Sequence, residues 1–304
     1  MAIGDVYEAS AVDPALSYVD TGMYDVPEYG SVYVIDAERP AIVDAGIGTN
    51  YERVLEAVER AGIDPADLEV IALTHVHLDH AGGAGFIAEA TGAEVYVHEI
   101  GAPHLVDPGR LWEGTKRAVG DQIEYYVEPE PIAADRITEL ADGDAIDLGN
   151  RRLVAHHVPG HAPHQVAYEA PGMDAAFTGD AAGIFTPSTD RVQVTSPPPN
   201  FDLAQAVADT DTLAALDPSW LCYGHFGPAE TADRLPEYAD TLRQWVADVA
   251  DARRDLGDDE AVVERFVESE ETPDAWGRRK GRAEVRLNVR GVLTYLDRAD
   301  DPPV

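Results

Sequence analysis

Residues 75–80 read His75-Val76-His77-Leu78-Asp79-His80, three imidazoles and one carboxylate within six positions. Imidazole nitrogen and carboxylate oxygen are donors that zinc and related first-row divalent ions accept. Four such groups in one turn are costly unless a cation or a dense hydrogen-bond network satisfies them. The chain has 10 histidines in 304 residues, so chance clustering of this kind is rare. The stretch points to a metal site, and the competing reading is a turn of purely structural histidines.

Working outward, the run Leu68 to Leu73 (LEVIAL) is a buried strand that leads through Thr74 into the cluster. Upstream, residues 31–36 (SVYVID) and 41–45 (AIVDA) form two strands joined at Glu38-Arg39-Pro40. Residues 50–61 have helical spacing, with Val54, Leu55 and Val58 on one face and Thr49 or Asn50 as N-cap. Downstream, residues 82–90 form a helix and Glu94 to His98 a strand. The pattern is a strand–helix alternation with the cluster at a strand's carboxyl end, where open α/β sheets commonly carry their sites.

Residues 99–135 break this alternation. The spacing predicts one amphipathic helix over 110–127, bearing Trp112, Tyr125 and Tyr126; it either caps the site or packs as ordinary structure. A second strand-rich region begins near Ile137, with strands over 144–148, 152–157, 165–169 and 175–177. A helix over 202–216 ends before Pro218, and Trp220 to Tyr223 is the last strand. From Thr231 the pattern becomes helical, over 235–256, 260–269 and 283–298. Residues 1–230 are therefore expected to form the catalytic domain and 231–304 a C-terminal helical extension. The apolar faces around Leu287 to Leu296 suit a homodimer or packing on the chain's own domain equally well.

Composition narrows the function classes. Net charge is −35, with Lys116 and Lys280 the only lysines against twenty arginines. The acids are dispersed, as in proteins of salt-loving organisms, where salt screens their mutual repulsion; a basic partner is the rival explanation. Nucleic-acid binding is disfavoured because it needs a basic face. No apolar run approaches a membrane helix, and Met1 to Ser10 has no signal-peptide pattern, so a cytoplasmic location is expected. The lone cysteine, Cys222, excludes an intramolecular disulfide and a CxxC pair; its apolar surroundings predict a buried core thiol.

Three candidate ligands follow downstream, each in a glycine-bearing turn after an apparent strand or apolar run: His161 in Pro159-Gly160-His161, Asp180 in Thr178-Gly179-Asp180, and His225 in Tyr223-Gly224-His225. Glycine before a ligand lets the backbone turn back over a strand end.

With these motifs in this order, and with Asp44 in Val43-Asp44-Ala45-Gly46, residues 20 to 230 resemble the metallo-β-lactamase fold superfamily. The resemblance implies an α/β fold: a four-layer αβ/βα sandwich with metals at one edge. It implies that His75, His77 and His161 hold one metal, that Asp79, His80 and His225 hold another, that Asp180 bridges both, and that Asp44 orients the cluster loop from behind. True β-lactamases commonly have cysteine where Asp180 stands; aspartate there is typical of glyoxalase II-like, lactonase, phosphodiesterase and tRNA-processing branches. The helical tail is similar to the additions of glyoxalase II-like hydrolases, although it shows no convincing basic set for glutathione.

The leading expectation is a dinuclear zinc-dependent hydrolase of a small ester, thioester or lactone, with iron or manganese as alternative metals. Asp79 is expected to orient the nucleophile and receive its proton. His164 is expected to approach substrate, and Tyr223 to act as proton donor or oxyanion helper. Three alternatives remain: a mononuclear iron persulfide dioxygenase, a phosphodiesterase or RNA-processing nuclease, and a non-catalytic binding protein.

Overall fold

The apolar runs around 31–45 are buried on both faces, which is why they read as near-continuous rather than alternating. In the computed structural model, which describes residues 2–299, they lie inside a seven-stranded sheet. Its order is β1 (Val6–Glu8), β2 (Leu16–Asp20), β3 (Ser31–Ile35), β4 (Ala41–Val43), β5 (Val70–Ala72), β6 (Glu94–His98) and β7 (Ile137–Leu140). Pairing is antiparallel from β1 to β4 and parallel from β4 to β7. The helices here are α1 (Tyr51–Arg60), α2 (Leu78–Ala81), α3 (Ala84–Thr91), α4 (Ala102–Val106) and α5 (Gly109–Val119).

The second sheet uses β8 (Ala145–Asp147), β9 (Arg152–His157), β10 (Val166–Ala170) and β11 (Ala175–Gly179). A hairpin of β12 (Ile184–Thr186) and β13 (Arg191–Gln193) intervenes before β14 (Trp220–Tyr223) and β15 (Gly227–Glu230) complete it. The spatial order is β15-β14-β11-β10-β9-β8. Helices α6 (Leu203–Ala215), α7 (Arg234–Leu256), α8 (Asp259–Ser269) and α9 (Gly277–Arg298) follow.

Side-chain alternation sorts residues into layers. Tyr33, Ile35, Val43, Val70, Tyr168 and Phe177 meet in a core between the two sheets. Val32, Val34, Ile42 and Ile71 point outward, against Val54 and Val58 of α1 and Ile87 of α3. On the far side, Ala176, Leu221 and Tyr223 pack with Leu213 of α6. The result is the four-layer αβ/βα sandwich, followed by the helical tail. Val289, Val292 and Leu293 of α9 pack with Leu242 and Val246 of α7 and Val263 of α8. The apolar tail face is therefore covered within the chain. Among the described residues, no helix is long and apolar enough to cross a membrane.

Local chemistry explains where elements differ from expectation. The helix expected over 110–127 stops at Val119; Gly120, at φ 56° and ψ −126°, breaks it, and a 3-10 turn continues to Tyr125. Asn50 precedes α1 without capping it, because its amide donates to the Thr21 carbonyl instead (2.9 Å). Strands β1 and β2, short helix α4 and the β12–β13 hairpin carried too few residues or too little alternation to be read. Helix α9 begins at Gly277, six residues before the expected start. Cys222 faces the intersheet core, fully buried, and burial pushes its thiol pKa up.

Candidate metal centre

Loops leaving one edge of the sandwich carry the candidate ligands. The cluster follows β5, His161 follows β9, Asp180 follows β11 and His225 follows β14. Two glycines permit the convergence. Gly179 has φ 51°, and a Cβ there would come within 2.9 Å of the Thr74 side chain; at Gly224 a Cβ would lie 2.8 Å from the His80 ring.

Three groups of donors form: His75 with His77 and His161, His75 with His80 and Asp180, and Asp79 with His80 and His225. In the first, His75 Nε2 and His161 Nε2 lie 3.1 and 3.0 Å from the same atom, His77 Nδ1. One ring nitrogen has a single lone pair, so it cannot accept from both. In the last, His80 Nε2 and His225 Nε2 are 3.0 Å apart, and Asp79 Oδ2 lies 3.7 Å from His225 Nε2. Asp180 stands between: Oδ1 is 3.3 Å from His80 and 3.6 Å from His225, and Oδ2 is 3.3 Å from His161. Its buried Oδ1 makes no hydrogen bond. Separations near 3 Å approach the edge of a tetrahedron around an ion with bonds of about 2.0–2.1 Å. The donor set therefore fits divalent metal.

Protonation states agree. Burial, with the neighbouring rings, holds His75 well below the usual histidine range. Burial lowers His77, and lowers His161 to about 3. Burial opposes ionisation of Asp180, but His161, His80 and His225 outweigh it and hold this carboxyl low. Asp79 is lowered in the same way by His80, His225 and His77. His80 differs: burial disfavours its proton, yet Asp180 and Asp44 raise it well above the ordinary value. A cation held there would take the place of that proton. Asp44, at φ 63°, accepts from the Thr74 backbone N–H (2.8 Å) and hydroxyl (2.9 Å), and its other oxygen meets His80 Nδ1.

Residues 25–225 match the family described as the metallo-beta-lactamase superfamily. The chain belongs to this superfamily. The crystal structure of the archaeal superfamily protein ST1585 from Sulfolobus tokodaii superposes with TM-score 0.69 at 23% identity, over 92% of this chain and 98% of that one. A hydroxyacylglutathione hydrolase of Albidiferax ferrireducens is 32% identical over 199 residues, 64% of this chain and 61% of that protein. The acyl-coenzyme A thioesterase MBLAC2 of Gallus gallus is 26% identical over 178 residues, 54% of this chain and 61% of that protein.

In this metallo-beta-lactamase superfamily member, a cavity of about 620 Å³ opens above the donors, with His77, Asp79, His161, Asp180 and His225 among its lining. Helix α5 roofs it through Leu111, Thr115 and Ala118, and Pro197, Pro198 and Pro199 form another wall. His164 also lines it, 7% exposed, its Nδ1 accepting the Val76 N–H at 3.4 Å; burial lowers its pKa to about 2. Tyr223 is placed elsewhere. It lies on the outer face of the second sheet, stacked on Phe185, and is not among the cavity-lining residues. Strand alternation explains this: Cys222 takes the inward position and Tyr223 the outward one.

Tyr126, carried by the segment expected either to cap the site or to pack, lines the cavity; sequence reasoning missed Tyr24, Tyr29 and His104, which line it too. The hydroxyls of Tyr24 and Tyr126 are hydrogen-bonded to one another. These residues come from segments distant in sequence, and no local spacing marks them. His98 is buried and stacks on His157 at 4.2 Å, away from this cavity.

Proposed function

We propose that this chain is a hydrolase using two divalent ions, zinc foremost, to cleave a small ester, thioester or lactone. The carrying observation is the convergence of seven His and Asp donors at a roofed, largely apolar cavity. In this reading His75, His77 and His161 would hold one ion and Asp79, His80 and His225 the other, with Asp180 placed to serve both. When bound, such ions supply Lewis acidity and activate water at neutral pH.

The chain's own residues supply positioning and proton transfer. Asp79, its side chain 23% exposed and lining the cavity, would orient the attacking water and receive its proton on the carboxylate oxygen that does not face His225. His164 uses Nδ1 as acceptor for Val76, which leaves its proton on Nε2 as a donor toward an acyl oxygen. Helix α5 and the 197–199 loop exclude solvent and orient the acyl group. Apolar walls and a net charge of −35 favour an acyl substrate over a polyanionic nucleic acid. Likeness to two proteins named for hydroxyacylglutathione and acyl-coenzyme A hydrolysis favours a thioester. Residues 1–230 would act as the catalytic domain and 231–304 as its extension, of which Glu284 and Leu287 line the cavity.

A panel of thioester, lactone and phosphodiester substrates with zinc-loaded protein tests this reading. Thioester or lactone turnover is expected, falling by roughly two to three orders of magnitude in His77→Ala with the far-ultraviolet spectrum unchanged. Turnover confined to phosphodiesters contradicts the acyl assignment. Turnover unchanged in His77→Ala contradicts the metal mechanism.

A further inference from the structure

We propose that helix α9 positions the second ion: the buried Lys280–Glu284 pair fixes Tyr29, and Tyr29 fixes His225. The proposal rests on the reading of Asp79, His80 and His225 as that ion's ligands.

Lys280 is one of two lysines in the chain and is only 4% exposed. Its Nζ lies 2.6 Å from Glu284 Oε2 and 4.0 Å from the ring centroids of both Tyr24 and Tyr29. The same Oε2 accepts the Tyr29 hydroxyl at 2.8 Å, and Oε1 accepts from Asn288 Nδ2 at 3.0 Å. Tyr29 is thus held at its hydroxyl by Glu284 and at its ring face by Lys280.

At its other end Tyr29 acts directly on the centre. Its backbone carbonyl accepts from His225 Nδ1 at 2.7 Å, and its ring lies 4.8 Å from the His225 ring. A proton fixed on Nδ1 leaves the lone pair on Nε2, the atom facing His80 and Asp79. Tautomer and ring angle of one ligand are therefore set by a residue that α9 clamps.

The helix is seated firmly enough to transmit this. Asn288 Oδ1 accepts the Ser196 N–H at 2.5 Å. Gly291 lets the helix approach the Ser196 carbonyl so closely that a Cβ would lie 1.6 Å from that oxygen. Two methionines of similar volume would fill the space of Lys280 and Glu284, and buried ion pairs seldom stabilise more than such replacements. What the pair adds is direction.

The experiment is zinc titration of metal-free protein against a chromophoric chelator, with His161→Ala and His225→Ala assigning the two binding steps. In the double variant Lys280→Met/Glu284→Met, the step lost in His225→Ala should weaken at least tenfold, while the other stays within twofold. Lys280→Met/Glu284→Gln, which keeps an acceptor for the Tyr29 hydroxyl, should recover most of the loss. Tyr29→Phe, which removes one hydroxyl and leaves the fold's volume intact, should weaken the same step severalfold even if the double variant does not fold. Equal weakening of both steps, or no change in either, overturns the proposal. Uptake of a single ion by the unaltered chain contradicts the two-ion reading itself and removes this proposal with it.

Discussion

Asp44 Oδ2 stands 2.9 Å from His80 Nδ1, while its Oδ1 receives the backbone N–H of Thr74 at 2.8 Å. One carboxylate, at the end of β4, thus ties the start of the histidine loop to a ring whose Nε2 faces the centre. Its negative charge also makes the His80 ring a better donor. Asp44→Asn keeps the shape but loses the charge. It should weaken zinc binding by about 10–100-fold and lower turnover in parallel, as measured by chelator competition on the purified variant. Affinity equal to that of the unaltered chain contradicts this role.

His164 is expected to act on substrate and not on metal. His164→Ala should keep its full zinc content and lose about 10²-fold in kcat, with KM changed little. Elemental analysis beside steady-state kinetics separates the two. Loss of zinc would make it part of the ligand shell.

Four histidines, the buried His75, His161 and His164 and the half-buried His77, have folded pKa values below the unfolded value. Below about pH 6.5 the unfolded chain binds protons at these rings that the folded chain refuses. Their stabilisation is present above that pH and is lost as pH falls toward the folded values, about 3 for His161 and about 2 for His164. His80 has the opposite sign: the stabilisation from its raised folded pKa is fully present below about 6.5 and is lost as pH rises from there through the higher folded value. Metal-free protein should therefore melt at lower temperature at pH 5 than at pH 7 in the same salt. Each fully titrating ring contributes about 1.4 kcal/mol per pH unit. A melting temperature that holds or rises on acidification contradicts the buried-neutral state of these rings.

The charge of −35 carries its own expectation. Screening lengths shrink from about 10 Å at 0.1 M salt to about 3 Å at 1 M, so added potassium chloride should raise the melting temperature of the metal-loaded protein. Independence of salt would mean that the acids are locally paired.

Much of this arrangement was legible because the informative residues were local. The cluster, His161, Asp180 and His225 each sit next to a turn glycine or at a strand end, and their order matches the superfamily to which the chain belongs. The intersheet core was readable from runs such as SVYVI and AIV. Tyr223, expected near substrate, takes the outward position of a four-residue strand whose inward position belongs to Cys222, and in so short an apolar run the alternation does not stand out. Tyr29 and Glu284, 255 residues apart, meet by a single hydrogen bond. No periodicity or motif encodes such a contact; it emerges only when α9 folds back over the sandwich. The break of α5 at Gly120 was visible as a glycine, but the amphipathic pattern on both sides masked it.

The most direct measurement is metal content per chain after purification without chelator, beside the same measurement on Asp180→Ala. About two zinc ions in the unaltered chain, with loss in the variant, is the result expected of seven donors divided between two ions by a bridging carboxylate. One iron per chain with oxygen consumption, or no bound metal with activity intact, would contradict it.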